Sequence, residues 1–349
     1  MRTKATVAAL LFFLLLAVTA GCGGFRTEEP SEESTAQTGN RIVIGFSQLG
    51  AESDWRSANT ESMKSTFTPE NGYELIFDDG QQNQANQIMA IRRFIQQEVD
   101  FIVLAPVTEE GWDTVLQEAK DAGIPVVIVD RMVKVADQSL FTCWVGSNFE
   151  LEGKKAAEWL HQFTVAKGIA PEELHIVNIQ GTIGASAQIG RTKGLSDAAK
   201  LYGWDLMAEA SGDFTQAKGR EVMEAFLRQY DNINVVYCEN DNEAFGAIEA
   251  IEAAGKTAGS DIAAGEIMVI SFDGVNKEAI QDVLDDKIAC ITECNPLHGP
   301  RVEAIITTLI AGGQPDKFAY VDEEIFSACD AVSNIIVDGV TYEVTMISK

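Results

Sequence analysis

The sequence predicts an α/β protein built as two doubly wound parallel-sheet lobes. Three observations carry this. Short apolar runs of strand length alternate with helical patterns along most of the 349 residues. The alternation runs through twice, with polar landmarks in register between the halves. The stretch left over, 275–349, is too short for a third domain, so it is expected to return and complete both lobes.

The first half opens with IVIGF (42–46), a buried-strand run, followed by helical spacing over 54–67. ELIFDD (74–79) reads as a strand. In QANQIMAIRRFIQQE (84–98), Ile88, Ile91, Phe94 and Ile95 recur with a 3.6-residue period. FIVLAP (101–106) is a strand closed by proline, GWDTVLQEAKDAG (111–123) a helix ending in glycine, and IPVVIVD (124–130) a strand. After WVGSN the pattern restarts: a helix over 151–163, strand LHIVNIQG (174–181), a helix over 189–203, a strand, a helix from GDFTQAKGREVMEAFLRQY, strand NVVYCEN (234–240), a helix over 243–255 and strand IMVISFDG (267–274). Arg56 and Arg191 each open a helix after the first strand. Asp79 and Asp213 close the second, Pro106 and Asn240 follow the third, and Asp130 and Asp273 follow the fourth. Four landmarks at nearly constant offset indicate an internal duplication. The remainder supplies a helix (KEAIQDVLDD), strand IACITECNP, a helix (GPRVEAIITTLIAGG) and a terminal piece rich in short strands.

The N-terminus is a targeting segment. Arg2 and Lys4 precede the apolar run ATVAALLFFLLLAV (5–18), which has signal-peptide rather than membrane-span length. TAGC (19–22) resembles the lipobox of bacterial lipoproteins, with residues 1–21 as signal peptide and Cys22 as the lipidated first residue. Residues 23–40 hold almost nothing apolar and read as a flexible tether, so that 22–40 links a lipid anchor to the folded body. A net charge of −27 argues against nucleic acid as a partner. Cys143, Cys238, Cys290, Cys294 and Cys329 are expected to be packing thiols. Cys290 and Cys294 lie about 13 Å apart on an extended run, beyond disulfide reach unless the chain bends. Neither these nor the three scattered histidines have metal-site spacing, and no metal or cofactor is expected.

In open parallel sheets ligands bind beyond the carboxyl ends of the strands. There the first half places Glu52, Ser53, Asp54, Trp55, Arg56, Asp130 and Arg131, and the second half Arg191, Asn240 and Asp273. Gln48, Asp79, Gln81, Phe214 and Asp241 lie near the same ends and extend the candidate set. Guanidinium forks, carboxylates and an amide match vicinal hydroxyls, and a tryptophan offers an apolar face to the C–H side of a sugar ring. The set therefore suits a small polyol. Catalytic signals are weak: GTIGAS (181–186) lacks a following GK[ST], there is no GxSxG, and the aromatic content of 8% is low for a glycosidase cleft.

The segments GFSQLGAESDWR, DGQQNQANQ, IVLAPV, GWDTVLQEAKDAGIPVVIVDR, GTIGASAQIGRTKG, SGDFTQAKGREVME, END and SFDG, spread over residues 42 to about 300, resemble the type I periplasmic sugar-binding proteins, the solute receptors of ABC importers, and within them the galactofuranose-binding subgroup. The resemblance implies that Glu52–Arg56, Asp130, Arg131, Arg191, Asn240 and Asp273 contact a sugar. Asp54 and Cys294 depart from the subgroup's usual residues. It also implies closure about a three-segment hinge, expected near Ser147, Thr292–Cys294 and Cys329–Asp330. Lobe one is then 41–147 plus 293–329, and lobe two 148–292 plus 330–349. The expected function is a monomeric, lipid-anchored, non-enzymatic receptor that binds a monosaccharide and delivers it to an ABC permease. A sensory receptor of the same fold and a secreted sugar-modifying enzyme are the other readings; the signal segment and the lack of a helix-turn-helix exclude a cytoplasmic repressor.

Overall fold

The computed structural model describes residues 41–348. The signal segment, Cys22 and the tether lie outside these residues. Strand β1 (Ile42–Gln48) leads into helix α1 (Asp54–Thr66), β2 (Tyr73–Asp79), α2 (Gln84–Gln96), β3 (Phe101–Leu104), α3 (Asp113–Asp121), β4 (Val126–Val129) and β5 (Cys143–Gly146). The second half follows as α4 (Phe149–Lys167), β6 (His175–Gln180), α5 (Ser186–Tyr202), β7 (Asp205–Ser211), α6 (Gln216–Gln229), β8 (Val235–Cys238), α7 (Asp241–Ala253) and β9 (Met268–Asp273). The last part holds α8 (Lys277–Leu284), β10 (Cys290–Glu293), α9 (His298–Ile310), β11 (Phe318–Tyr320), β12 (Ile325–Ser327), the hairpin β13 (Asn334–Val337) and β14 (Val340–Glu343), and β15 (Thr345–Met346).

The strands form two principal sheets. The first has the order β2-β1-β3-β4-β5-β11 and is parallel throughout. The second has the order β7-β6-β8-β9-β10-β12-β15; it is parallel except where β12 runs against β10. The order 2-1-3-4 of the first sheet recurs as 7-6-8-9 in the second, as the landmark register anticipates. Helices cover both faces of each sheet, which is why strands such as FIVL, VVIV and VVYC are buried along their whole length. A separate small cluster of Trp55, Phe149, Ala185, Ala187, Phe214 and Cys294 lies between the lobes.

The chain passes between the sheets three times. The first passage follows β5 at Ser147, and the second follows β10 on the way to α9. The third lies between β11 in the first sheet and β12 in the second, within 321–324. The sequence reading put it at Cys329–Asp330. It comes earlier because Ile325 and Phe326 already pair with Thr292 and Ile291 of β10. The five cysteines among the described residues are all free thiols.

Helices α4 and α5 touch backbone to backbone. A Cβ on Gly194 would stand 2.4 Å from the carbonyl carbon of Gly153, and one on Gly190 would stand 2.6 Å from Phe149. Glycines at these contacts let α5 approach closely enough for Arg191 to reach across to α4. Gly194→Ala must push the helices apart and is expected to lower the unfolding free energy by about 1–3 kcal/mol, measurable by urea denaturation.

Candidate functional site

Both sheets point their carboxyl ends at one small cavity, walled by residues of both lobes. It lies beside β1 and β3 in one lobe and β6 and β8 in the other, the points where the strand order reverses.

On the first side the chain turns sharply after β1, and Ser53 caps α1 by accepting the Arg56 N–H at 3.1 Å. This aims Glu52, Trp55 and Arg56 inward. Arg56 Nη2 donates to Asp130 Oδ2 at 2.6 Å and Nε to Glu52 Oε1 at 3.2 Å; Arg131 Nη2 donates to the same Glu52 oxygen at 3.3 Å. Arg131 is further fixed by the Val107 carbonyl at 2.8 Å and lies over the Phe214 ring of the other lobe. All four charged side chains are at most 5% exposed. Burial opposes the Asp130 charge, but Arg56 and Arg131 outweigh it and hold the carboxyl below its usual range. Burial, and then repulsion from Arg56, lowers Arg131 to about 10.

On the second side Arg191 is the centre. Its Nε donates to Glu152 Oε2 at 2.7 Å, Nη1 to the Glu239 carbonyl, and Nη2 to Asp273 Oδ1 at 3.4 Å. Its guanidinium lies 4.7 Å from the Phe272 ring centroid. Burial pushes the Asp273 carboxyl well up despite Arg191. Asp130 and Asp273 occupy equivalent strand ends, and both have left-handed backbones, with φ of 62° and 100°. Non-glycine residues adopt that region at a cost. Trp144 Nε1 fixes the Asp130 carbonyl at 2.9 Å, and Asp241 fixes the Gly274 N–H at 2.8 Å.

Two polar atoms in this lining have no hydrogen-bond partner although buried: Arg56 Nη1, a donor, and Glu52 Oε2, an acceptor. A small molecule bearing hydroxyls would satisfy both. The apolar walls are Trp55, Phe149, Ala187 and Phe214. Trp55 itself is locked, its Nε1 donating to the Cys294 carbonyl at 2.6 Å. Lining carboxylates Glu52, Asp130 and Asp273 are each bonded to a guanidinium, so a metal ion would have to displace those cations.

Of the ten main candidates, nine line the cavity: Glu52, Ser53, Trp55, Arg56, Asp130, Arg131, Arg191, Asn240 and Asp273. Asp54 does not. It is exposed, and it bridges the mouth of the cleft: its N–H donates to Asn242 Oδ1 at 3.0 Å, and Asn276 Nδ2 donates to its Oδ2 at 2.7 Å. On the opposite rim Glu109 N–H meets the Gly184 carbonyl at 3.1 Å and Met132 N–H meets Ser186 Oγ at 2.7 Å. The cleft is closed. Asn240 borders the cavity while capping α7, with Oδ1 on the Glu243 N–H and Nδ2 on the Phe214 carbonyl.

Among the further candidates only Phe214 lines the cavity. Gln48 is buried and bonds Asn59, Thr60 and Leu49 N–H. Asp79 accepts the Gln81 N–H in an exposed turn. Asp241 stands behind Asp273, bonded to Ser271. Sequence reasoning missed Phe149, Ala187, Cys294 and the supporting Glu152; nothing in a helix-opening NFELE distinguishes Phe149 and Glu152 from ordinary core and cap residues. GTIGAS is not a phosphate loop here: the Phe214 ring packs on Gly181, where a Cβ would overlap it.

The description that matches residues 44–292 of this chain is that of the periplasmic binding protein domain. The chain belongs to that family. Members of this family are extracytoplasmic binding proteins. The chain is 39% identical to the galactofuranose-binding protein YtfQ of Escherichia coli (strain K12) over 290 residues, 82% of this chain and 87% of that one. A Mycobacterium smegmatis protein solved in complex with β-D-fucofuranose superimposes with a TM-score of 0.77 at 40% identity, covering 83% of this chain and 92% of that one. The binding component of the arabinose ABC transporter of Shewanella sp. ANA-3, solved with α- and β-L-arabinofuranose, gives 0.74 at 40% identity over 81% and 91% of the two chains. No helix among the described residues is long and apolar enough to cross a membrane.

Two outcomes follow for variants. Arg191→Ala leaves the buried Glu152 carboxylate without its guanidinium, and is expected to cost about 3–5 kcal/mol of stability by denaturant titration. His298 is fully buried beside Trp55, and burial lowers it from 6.5 to about 4. Between those values the unfolded chain binds the proton and the folded one does not. The folding equilibrium should therefore weaken by up to tenfold per unit as pH falls from 6.5 to 4. His298→Leu should flatten that slope in pH-dependent unfolding.

Proposed function

We propose that this protein is the solute receptor of an ABC importer, closing around one monosaccharide in its furanose form. The observation that carries this is the unmatched pair Arg56 Nη1 and Glu52 Oε2, buried at the cavity wall next to the Trp55 ring. The pair calls for a ligand with an acceptor and a donor close together and an apolar face beside them. Vicinal hydroxyls on a small sugar ring meet that need. The relatives that bind galactofuranose, fucofuranose and arabinofuranose support the furanose assignment.

No catalysis is assigned. Asp130 is held ionised by Arg56 and Arg131, which suits it to accept hydrogen bonds from hydroxyls and leaves it no proton to donate as a general acid. In the reading proposed here, the protein acts as a monomer, anchored through a lipid on Cys22 with 23–40 as tether, and the closed form docks on a permease. The proposed lobes are 41–147 with 293 to about 321, and 148–292 with the remainder.

The test is a thermal-shift panel of galactose, arabinose, fucose and ribose set against methyl pyranosides locked in the six-membered ring. A sugar present at about 100 times its Kd adds about 2.7 kcal/mol, so the free sugar that binds should raise Tm by several degrees and its locked pyranoside should not. A panel with no shift overturns the reading. Arg56→Lys keeps the charge but loses the planar fork, and should weaken the binding sugar roughly tenfold to a hundredfold by calorimetry.

A further inference from the structure

The three passages between the lobes meet at one cluster of polar side chains. Ser147 comes from the first passage, Cys294 and Asn295 from the second, and Glu323 from the third. Glu323 Oε1 accepts from Ser147 Oγ at 2.6 Å and from the Asn295 N–H at 2.8 Å. Cys294 Sγ lies 3.3 Å from the same Ser147 hydroxyl. Glu152 reaches this cluster from α4, with a carboxylate oxygen, the Cys294 sulfur and a Glu323 oxygen all within 4.8 Å of one another.

Glu152 spends one oxygen on Arg191, at 2.7 Å. Its other oxygen, Oε1, is buried with no N–H or alcohol donor, and its side chain is 2% exposed. Two carboxylates this close, largely out of water, repel each other; one proton held by one of them removes that repulsion and lets it donate to the other. Glu323 Oε1 already accepts twice, which leaves Oε2 to carry that proton.

We propose that Glu323 is a positioning residue for the sugar site: as a neutral acid it donates a hydrogen bond to Glu152 and so fixes Arg191 in the orientation that faces the cavity. The proposal rests on the sugar reading of that cavity. It ties the third hinge passage to a binding arginine of lobe two, so that hinge geometry and site geometry are set together. The charged and titratable groups facing the pair are Lys155 on α4, whose Nζ donates to the Glu323 carbonyl at 2.6 Å, Arg191 on α5, Tyr237 on β8, Asp273 on β9, Glu293 and Cys294 at the end of β10, and Asp322 and Glu324 beside Glu323. Burial first, and then the Glu152 charge, raises Glu323 from 4.5 to about 9, in keeping with a proton retained at neutral pH.

The sign follows from linkage. An acid with a higher pKa folded than unfolded stabilises the fold fully below about pH 4.5, and loses that contribution as pH rises toward about 9. Glu323→Gln keeps a donor toward Glu152 but cannot titrate. In sugar-free urea unfolding of the mature protein between pH 5 and 9, the wild-type folding equilibrium should fall relative to Glu323→Gln by up to tenfold per pH unit. Parallel curves would overturn the shared proton. In calorimetry at pH 7 with the sugar identified by the thermal panel, Glu323→Gln should bind within about threefold of wild type, and Glu323→Ala at least tenfold more weakly. A glutamine variant as weak as the alanine variant, or an alanine variant as tight as wild type, would overturn the positioning role. Failure of wild type to bind any sugar would overturn the sugar reading and the positioning role with it, while the unfolding comparison still decides the proton.

Discussion

Buried guanidinium–carboxylate pairing governs this molecule. Arg56, Glu52, Arg131 and Asp130 form one net, and Arg191, Glu152 and Asp273 form another. Charges this far from water are tolerable only with close partners, so each net dictates how its surroundings are built. The left-handed aspartates at the ends of β4 and β9, the glycine contact between α4 and α5, and the indole that pins the Asp130 carbonyl all serve to bring these few atoms within bonding distance.

The two nets are not equivalent. Asp130 is kept ionised by two cations, whereas Asp273 faces one and is pushed up by burial. The first side of the cavity therefore presents both a fixed negative acceptor and the unmatched Arg56 donor. The second side offers a single arginine backed by a crowd of acids, with Glu239 and Asp241 both raised to about 7 by burial. A polyol between them would find donors and acceptors already aimed, which limits the reorganisation that binding demands. Closure is secured at the rim by bonds that spare the cavity residues: Asp54 with Asn242 and Asn276 on one edge, and two backbone amides on the other.

Asp54 and Asn240 illustrate where residue types mislead. Asp54 sits among five consecutive polar or aromatic candidates, yet helix geometry turns it outward while Trp55 and Arg56 turn in. Asn240 lies in the cavity wall with its amide engaged in capping α7, so the cap and the wall are one residue. Glu152 has the opposite history. It reads as an ordinary acid near the start of a helix, and only the approach of α5 makes it the partner of Arg191. The third hinge passage was misplaced for a related reason: strand pairing with β10 claims Ile325–Ser327 for the second sheet, and no local pattern announces that pairing.

The sequence by itself determined the alternation of strands and helices, the duplication and the identity of most cavity residues, because parallel sheets concentrate polar side chains at their carboxyl ends and leave apolar runs elsewhere. Tertiary structure decided which of those polar residues face each other. The register of Arg56 with Arg191 is visible along the chain, but the bonds from Arg56 to Asp130, from Arg191 to Glu152 and from Ser147 to Glu323 span 74, 39 and 176 residues. Contacts that distant depend on how two lobes pack and close, and local propensity carries no record of it.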